Sequence, residues 1–163
     1  MNEKNEMKNI INLTQHEASE EQKMAGVIDL PEDVKSKLKM LLTFEEIPTR
    51  DELETRAKQV SRLALENVVC FQCGQHGVTP NSTTGVGVEC IHCGMDANPQ
   101  VMVGGAPFFM AVLEKELFRN GLTPLYAFSK RECVEEKQED GKILLRRVFK
   151  HLGFVEAFNS GGN

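Results

Sequence analysis

Residues 101–129 read VMVGGAPFFMAVLEKELFRNGLTPLYAFS, and this stretch decides the fold. Val101-Met102-Val103 is a short apolar strand, followed by the loop Gly104-Gly105-Ala106. Pro107 has a fixed φ that suits a first helical position. It opens a helix that turns Phe109, Val112, Leu113 and Leu117 inward. Gly121 stops that helix, and residues 122–129 form the next strand. Strand, helix and strand within about 30 residues make a βαβ unit. Such a unit implies parallel strands joined by a right-handed crossover.

Downstream, residues 131–137 and 143–149 flank Glu139-Asp140-Gly141, where the Asp-Gly pair reads as a hairpin turn. Phe154-Val155 continues that antiparallel edge. Upstream, Ile10-Ile11-Asn12-Leu13 is an apolar strand that ends in Thr14-Gln15-His16. Ser19-Glu20-Glu21-Gln22 has the form of a capping box and opens a short helix toward Gly26. Pro31 at a first helical position begins a second helix, with Val34, Leu38, Leu41 and Leu42 on one face. Thr49-Arg50-Asp51-Glu52 is a further capping box. It opens a helix with Leu53, Ala57, Val60, Leu63 and Ala64 inward. The expected fold class is α/β: a Rossmann-like sandwich with a small parallel sheet, an antiparallel edge hairpin and an inserted zinc ribbon. The α/β body would be discontinuous, over residues 10–66 and 99–158, with the ribbon at 67–98. Residues 1–9 and 159–163 are expected to be disordered.

The 163 residues are 40% hydrophobic and 26% charged, which excludes wholesale disorder and provides a core without disulfides. No apolar run is long enough to span a membrane, and the polar start lacks the apolar stretch of a signal peptide. A cytoplasmic location is therefore expected. The net charge of −5 is unevenly spread. Residues 1–66 carry 14 acids and 10 bases, and residues 101–163 carry 8 acids and 9 bases. Between them stand only Glu89 and Asp96, with no Lys or Arg. A binder of extended nucleic acid shows a basic footprint, because phosphate neutralisation supplies most of that affinity. None is present, so extended nucleic acid is not an expected partner.

Four of the five cysteines fall as Cys70-Phe71-Gln72-Cys73 and Cys90-Ile91-His92-Cys93, each pair followed by glycine. A two-residue gap lets both sulfurs of a tight turn face one ion, and four thiolates complete a tetrahedral shell. Cys70, Cys73, Cys90 and Cys93 are therefore the expected ligands of one structural zinc ion, with no position left open for catalysis. The glycine-rich span between the pairs suits two short hairpins, a zinc ribbon. Two disulfides would need an oxidising compartment, and His76 or His92 could replace a sulfur. Cys133, in a strand, reads as a buried structural cysteine.

In open parallel sheets, ligands bind beyond the carboxyl ends of the strands, where helix N-termini point free N–H groups. Three loops are expected at that edge: Thr14-Gln15-His16, Gly104-Gly105-Ala106-Pro107, and Ser129-Lys130-Arg131 after the Tyr126 strand. An imidazole, hydroxyls, a glycine loop and two cations suit a phosphorylated or nucleotide-like ligand. Gly104-Gly105-Ala106-Pro107 matches neither the P-loop nor the dinucleotide pattern, and it also suits a tight strand-to-helix turn. Lys130 and Arg131 could equally begin a solvated edge strand.

Residues 11–22, INLTQHEASEEQ, resemble the strand-His-x-x-[Ser/Thr]-x-x-Gln start of small CRISPR-associated Rossmann-like proteins of the CARF-related ring-nuclease group. Residues 102–107 and 126–132 resemble blocks in uncharacterised bacterial and mobile-element proteins that share this start. The resemblance implies a compact, commonly dimeric fold that binds a cyclic oligonucleotide. In some relatives that ligand is cleaved without metal, by lining up a ribose 2′-hydroxyl with the scissile phosphate. His16 would then orient or deprotonate the hydroxyl, while Gly104, Gly105, Lys130 and Arg131 would hold phosphate charge. The ribbon and the helices of residues 20–66 depart from the small relatives. The expected function is nucleotide-ligand binding, with or without ring-nuclease-like phosphodiesterase activity, in a homodimer. The alternative is a non-enzymatic adaptor whose base-free ribbon contacts a protein partner.

Overall fold

Two apolar strands, β1 (Ile10–Leu13) and β6 (Gln100–Val103), pair in parallel at the centre of a five-stranded sheet. The structure is a computed structural model in which residues 9–157 are described. On one side of the central pair lies β2 (Val27–Ile28), parallel to β1. On the other lies β7 (Thr123–Lys137), parallel to β6, and then β8 (Ile143–Glu156), antiparallel to β7. The strand order is β2-β1-β6-β7-β8. The protein is thus a mixed α/β fold on a mostly parallel sheet. No helix among the described residues is long and apolar enough to cross a membrane.

Successive side chains of a strand point to opposite faces, and the two faces are covered unequally. Ile11, Leu13, Val101 and Val103 join Leu38, Leu42, Ala57, Val60, Phe109, Leu113 and Leu117 in one apolar cluster. The last seven come from helices α2 (Glu32–Leu42), α3 (Arg50–Asn67) and α4 (Pro107–Arg119). Each large side chain buried there contributes about 1.5–3 kcal/mol. The Tyr126 hydroxyl donates to Glu114 and ties α4 to β7; burial, then that bond, holds the phenol well above its usual pKa. Ile10, Val27, Met102 and Leu125 form the smaller cluster on the opposite face, with Ala18 and Phe154 over it. The short helix α1 (Glu20–Met24) follows Ala18 and buries no side chain of its own.

Residues 68–97 hold an antiparallel sheet of β3 (Val78–Pro80), β4 (Val88–Cys90) and β5 (Asp96–Ala97). Val68, Val78 and Val88 belong to the main apolar cluster, so this segment is part of the core and not a pendant. Gly121, just past α4 at φ +78°, lies against the backbone of Gly87; a Cβ there would collide with the Gly87 carbonyl.

The expected parallel strands, helices and edge hairpin are present, with four local differences. β2 was not expected: two residues are too few to show a period. Pro31 caps α2 from outside and is not its first residue. Ser129-Lys130-Arg131 is not a loop. β7 runs on through it, and beyond β6 the strands β7 and β8 continue as a free two-stranded ribbon with a bulge at Phe128/Ser129. Cys133 lies on that ribbon and is exposed, because nothing covers it there. The ends expected to be disordered lie outside the described residues, apart from Asn9.

Gly121→Ala should cost about 3 kcal/mol, from positive φ plus overpacking against Gly87. Gly141→Ala, at φ +79° with nothing within 4 Å, should cost only about 1–2 kcal/mol. Thermal denaturation of the two variants should place Gly121→Ala well below Gly141→Ala.

Candidate metal centre and strand-edge site

The two Cys-x-x-Cys turns face each other because β3 and β4 pair with Val78 opposite Cys90. In each turn the glycine after the second cysteine, Gly74 or Gly94, takes positive φ and returns its N–H to the first cysteine's carbonyl. The sulfurs of Cys70, Cys73, Cys90 and Cys93 all lie within 4.8 Å of one another. Cys70 to Cys93 and Cys73 to Cys90 are each 3.6 Å apart, far beyond a disulfide bond. A tetrahedron with metal–sulfur bonds of 2.3 Å has edges of about 3.8 Å, so the geometry fits one metal ion.

Cys90 and Cys93 hold their protons unequally. Backbone N–H groups of Cys93 and His92 lower the Cys90 thiol to about 6. Cys93 takes a backbone N–H from Met95, which favours its thiolate. Loss of solvent and the neighbouring Cys70 and Cys90 sulfurs outweigh that and raise it to about 12. One site therefore holds a ready thiolate beside a sulfur that keeps its proton until a cation arrives.

The second candidate site lies at the carboxyl end of the central strands. The chain leaves β1 toward β2 and leaves β6 toward β7, in opposite directions, so the loops after β1 and β6 part at this point. They also meet there: a Cβ built on Gly104 would lie 3.5 Å from Thr14 Cγ2. The loop after β1 is held by Asn12, a buried polar residue inside an otherwise apolar strand. Its amide donates to the His16 carbonyl at 2.8 Å and to Asp29 Oδ1 at 2.7 Å. Its oxygen accepts the Thr14 N–H at 2.9 Å and the Thr14 hydroxyl at 2.7 Å. Asp29 also accepts the Ala18 N–H at 3.1 Å.

Thr14 thus spends its hydroxyl on the loop. The exposed His16 ring has no hydrogen-bond partner among the described residues, and Gln15 beside it is half-buried. Gly105 sits at φ +154°, with Met110 Cε 3.3 Å from the place a Cβ would take. It leads into α4, whose cap residue Ala106 offers no side-chain acceptor.

Strand alternation separates the two expected cations. Ser129 and Arg131 share the Leu125 face, the side of α1, while Lys130 lies on the opposite face beside Lys150. The expected Lys130–Arg131 pair is thus divided between the two faces of this strand. In its place the ladder puts His151 opposite Ser129, and α1 reaches it: Glu21 Oε2 accepts the His151 N–H at 2.7 Å. Sequence reading passed over Asn12, Glu21, Asp29 and His151. Only Asn12 carried a signal, as the one polar residue of Ile-Ile-Asn-Leu. A groove of about 700 Å³ lies elsewhere, at the α2–α3 corner. There Arg56 donates to the carbonyls of Leu41 and Thr43 and stacks over Phe44 at 4.4 Å, a helix-end clamp.

Metal affinity should rise with pH, because every sulfur that still holds a proton must release it. With Cys93 protonated up to about 12, at least one proton leaves on binding. Affinity should fall at least about 100-fold between pH 8 and pH 6. Competition with a chromophoric chelator measures it, and Cys90→Ser should abolish binding of the single ion.

A profile of the family described as "Uncharacterized protein MJ1673 family" matches residues 87–155, less than half of the chain. The matched stretch runs from β4 through α4 into the ribbon. It includes Cys90, Cys93, Gly104, Gly105, Ser129, Arg131 and His151, and excludes Cys70, Cys73 and His16. No curated protein and no solved structure matches the chain.

Proposed function

We propose that this chain is a nucleotide-binding protein with a Rossmann-like body and a structural zinc ribbon. Its ligand is a phosphate-bearing nucleotide, a cyclic oligonucleotide in the form that the sequence resemblance implies. The observation that carries the reading is the approach of Gly104 to Thr14, where the chain parts from the two central strands in opposite directions. That is where open parallel sheets hold ligands. His16 and Gln15 would face the ligand from one loop, and Gly104 and Gly105 would let phosphate near the backbone ahead of α4. Ser129 and Arg131 would close the edge from the ribbon, and Lys130 has no part in it. If the ligand is cleaved, the exposed His16 imidazole is the group to orient or deprotonate the attacking 2′-hydroxyl. Free thiols and a thiolate metal site suit a reducing, cytoplasmic setting.

A second reading, a protein adaptor, is favoured by Phe71 and Ile91 inside the cysteine turns, 81% and 60% exposed, and by Val86 in the β3–β4 loop, 73% exposed. Exposed large apolar side chains in one small module suit a protein contact.

The test is a panel of mononucleotides and of linear and cyclic oligonucleotides on metal-loaded protein, reading thermal stabilisation and product formation together. A binding nucleotide raises the melting temperature, and His16→Ala should weaken that binding at least about tenfold. Products that vanish in His16→Ala would make the protein a phosphodiesterase. No shift across the panel would remove the nucleotide reading and leave the adaptor, to be tested with Phe71→Ser and Ile91→Ser.

A further inference from the structure

Both ring nitrogens of His151 are buried, and neither has a hydrogen-bond partner. A native structure rarely leaves two such atoms unsatisfied, since each has given up water for nothing. The ring stands edge-on to Phe154 at 4.8 Å, on the face shared with Ser129 and α1. The backbone N–H of the same residue is already taken by the Glu21 carboxylate.

Glu21 has no other structural duty that its helix needs. The capping box of α1 is made by Ser19 and Gln22, and the five-residue helix buries nothing. A carboxylate from a lightly held helix therefore rests on a backbone N–H beside an imidazole with free nitrogens. Arg131 is two residues along from Ser129 on the same face. Its guanidinium lies over Phe149 at 5.1 Å, with no ion pair among the described residues. A backbone N–H, an imidazole N–H and a guanidinium are the donors that a phosphate group takes.

We propose that His151 and Arg131 form a phosphate subsite at the base of the ribbon. Glu21 occupies it as an internal anion until a ligand's phosphate displaces it. The inference rests on the nucleotide reading for its ligand, but it adds His151 and Glu21 to Arg131 and gives Glu21 an opposite sign. Removing Glu21 removes a competitor and must strengthen binding, whereas removing His151 or Arg131 must weaken it.

Calorimetric titration of the full metal-loaded chain with cyclic tetra-adenylate, and separately with inorganic phosphate, tests this. Glu21→Ala should bind the cyclic nucleotide several-fold more tightly than the unaltered chain. His151→Gln and Arg131→Ala should bind it at least tenfold more weakly, and the His151 ring ¹⁵N signals should shift on binding. A gain in Glu21→Ala cannot come from misfolding. The same pattern with inorganic phosphate alone supports the subsite and overturns the nucleotide reading. Binding of the cyclic nucleotide with all three variants unchanged overturns the subsite and leaves the nucleotide reading standing. No binding of either probe, even by Glu21→Ala, overturns the subsite.

Discussion

Val78 and Val88 enter the same apolar cluster as Leu38, Val60 and Leu113, and the architecture depends on that contact. The cysteine-bearing segment supplies side chains to the core, so the sulfur cluster staples the body as well as the segment itself. Gly87 against Gly121 fixes the distance between them, at a point where no side chain fits. The β3–β4 hairpin and the end of α4 thus meet backbone to backbone. β6 and the Gly104 loop follow that hairpin in the chain.

The strand-edge site has its own organising atom set. Asn12 interrupts an apolar strand, and its amide is satisfied on every side, by Asp29, Thr14 and the His16 carbonyl. A buried, fully bonded amide of this kind specifies one loop conformation. The loop after β1 is shaped before any ligand arrives, and the His16 and Gln15 side chains remain uncommitted at its tip. On the ribbon side the situation is reversed: His151 has free nitrogens beneath α1. One half of the edge is satisfied and the other is not.

Much of the architecture was legible because it was written in local chemistry. The capping box at Ser19, Pro107 opening α4, Gly121 ending it and the Asp-Gly turn each act within a few residues. The paired Cys-x-x-Cys turns were legible for the same reason, since their geometry is set by two-residue gaps. What escaped depended on register. Whether Lys130 or Arg131 faces α1 follows from ladder alternation, and His151 gains a role only once it stands opposite Ser129. A lone histidine in a strand announces nothing. Cys133 looked like a core residue because the strand around it did, but the ribbon has left the body by that point.

The pairing of Ile10 with Gln100 has a consequence for the order in which the chain assembles. β1 is synthesised well before β6 and must wait for it, so the sheet is rich in long-range contacts and slow to close. The sulfur cluster needs only residues 70–93, and it can form while β1 is still searching. Once closed, it removes that stretch from the free loop between β1 and β6 and lowers the entropy of bringing them together. The ion would then act as a timing device in folding, gathering the chain ahead of the sheet it will support.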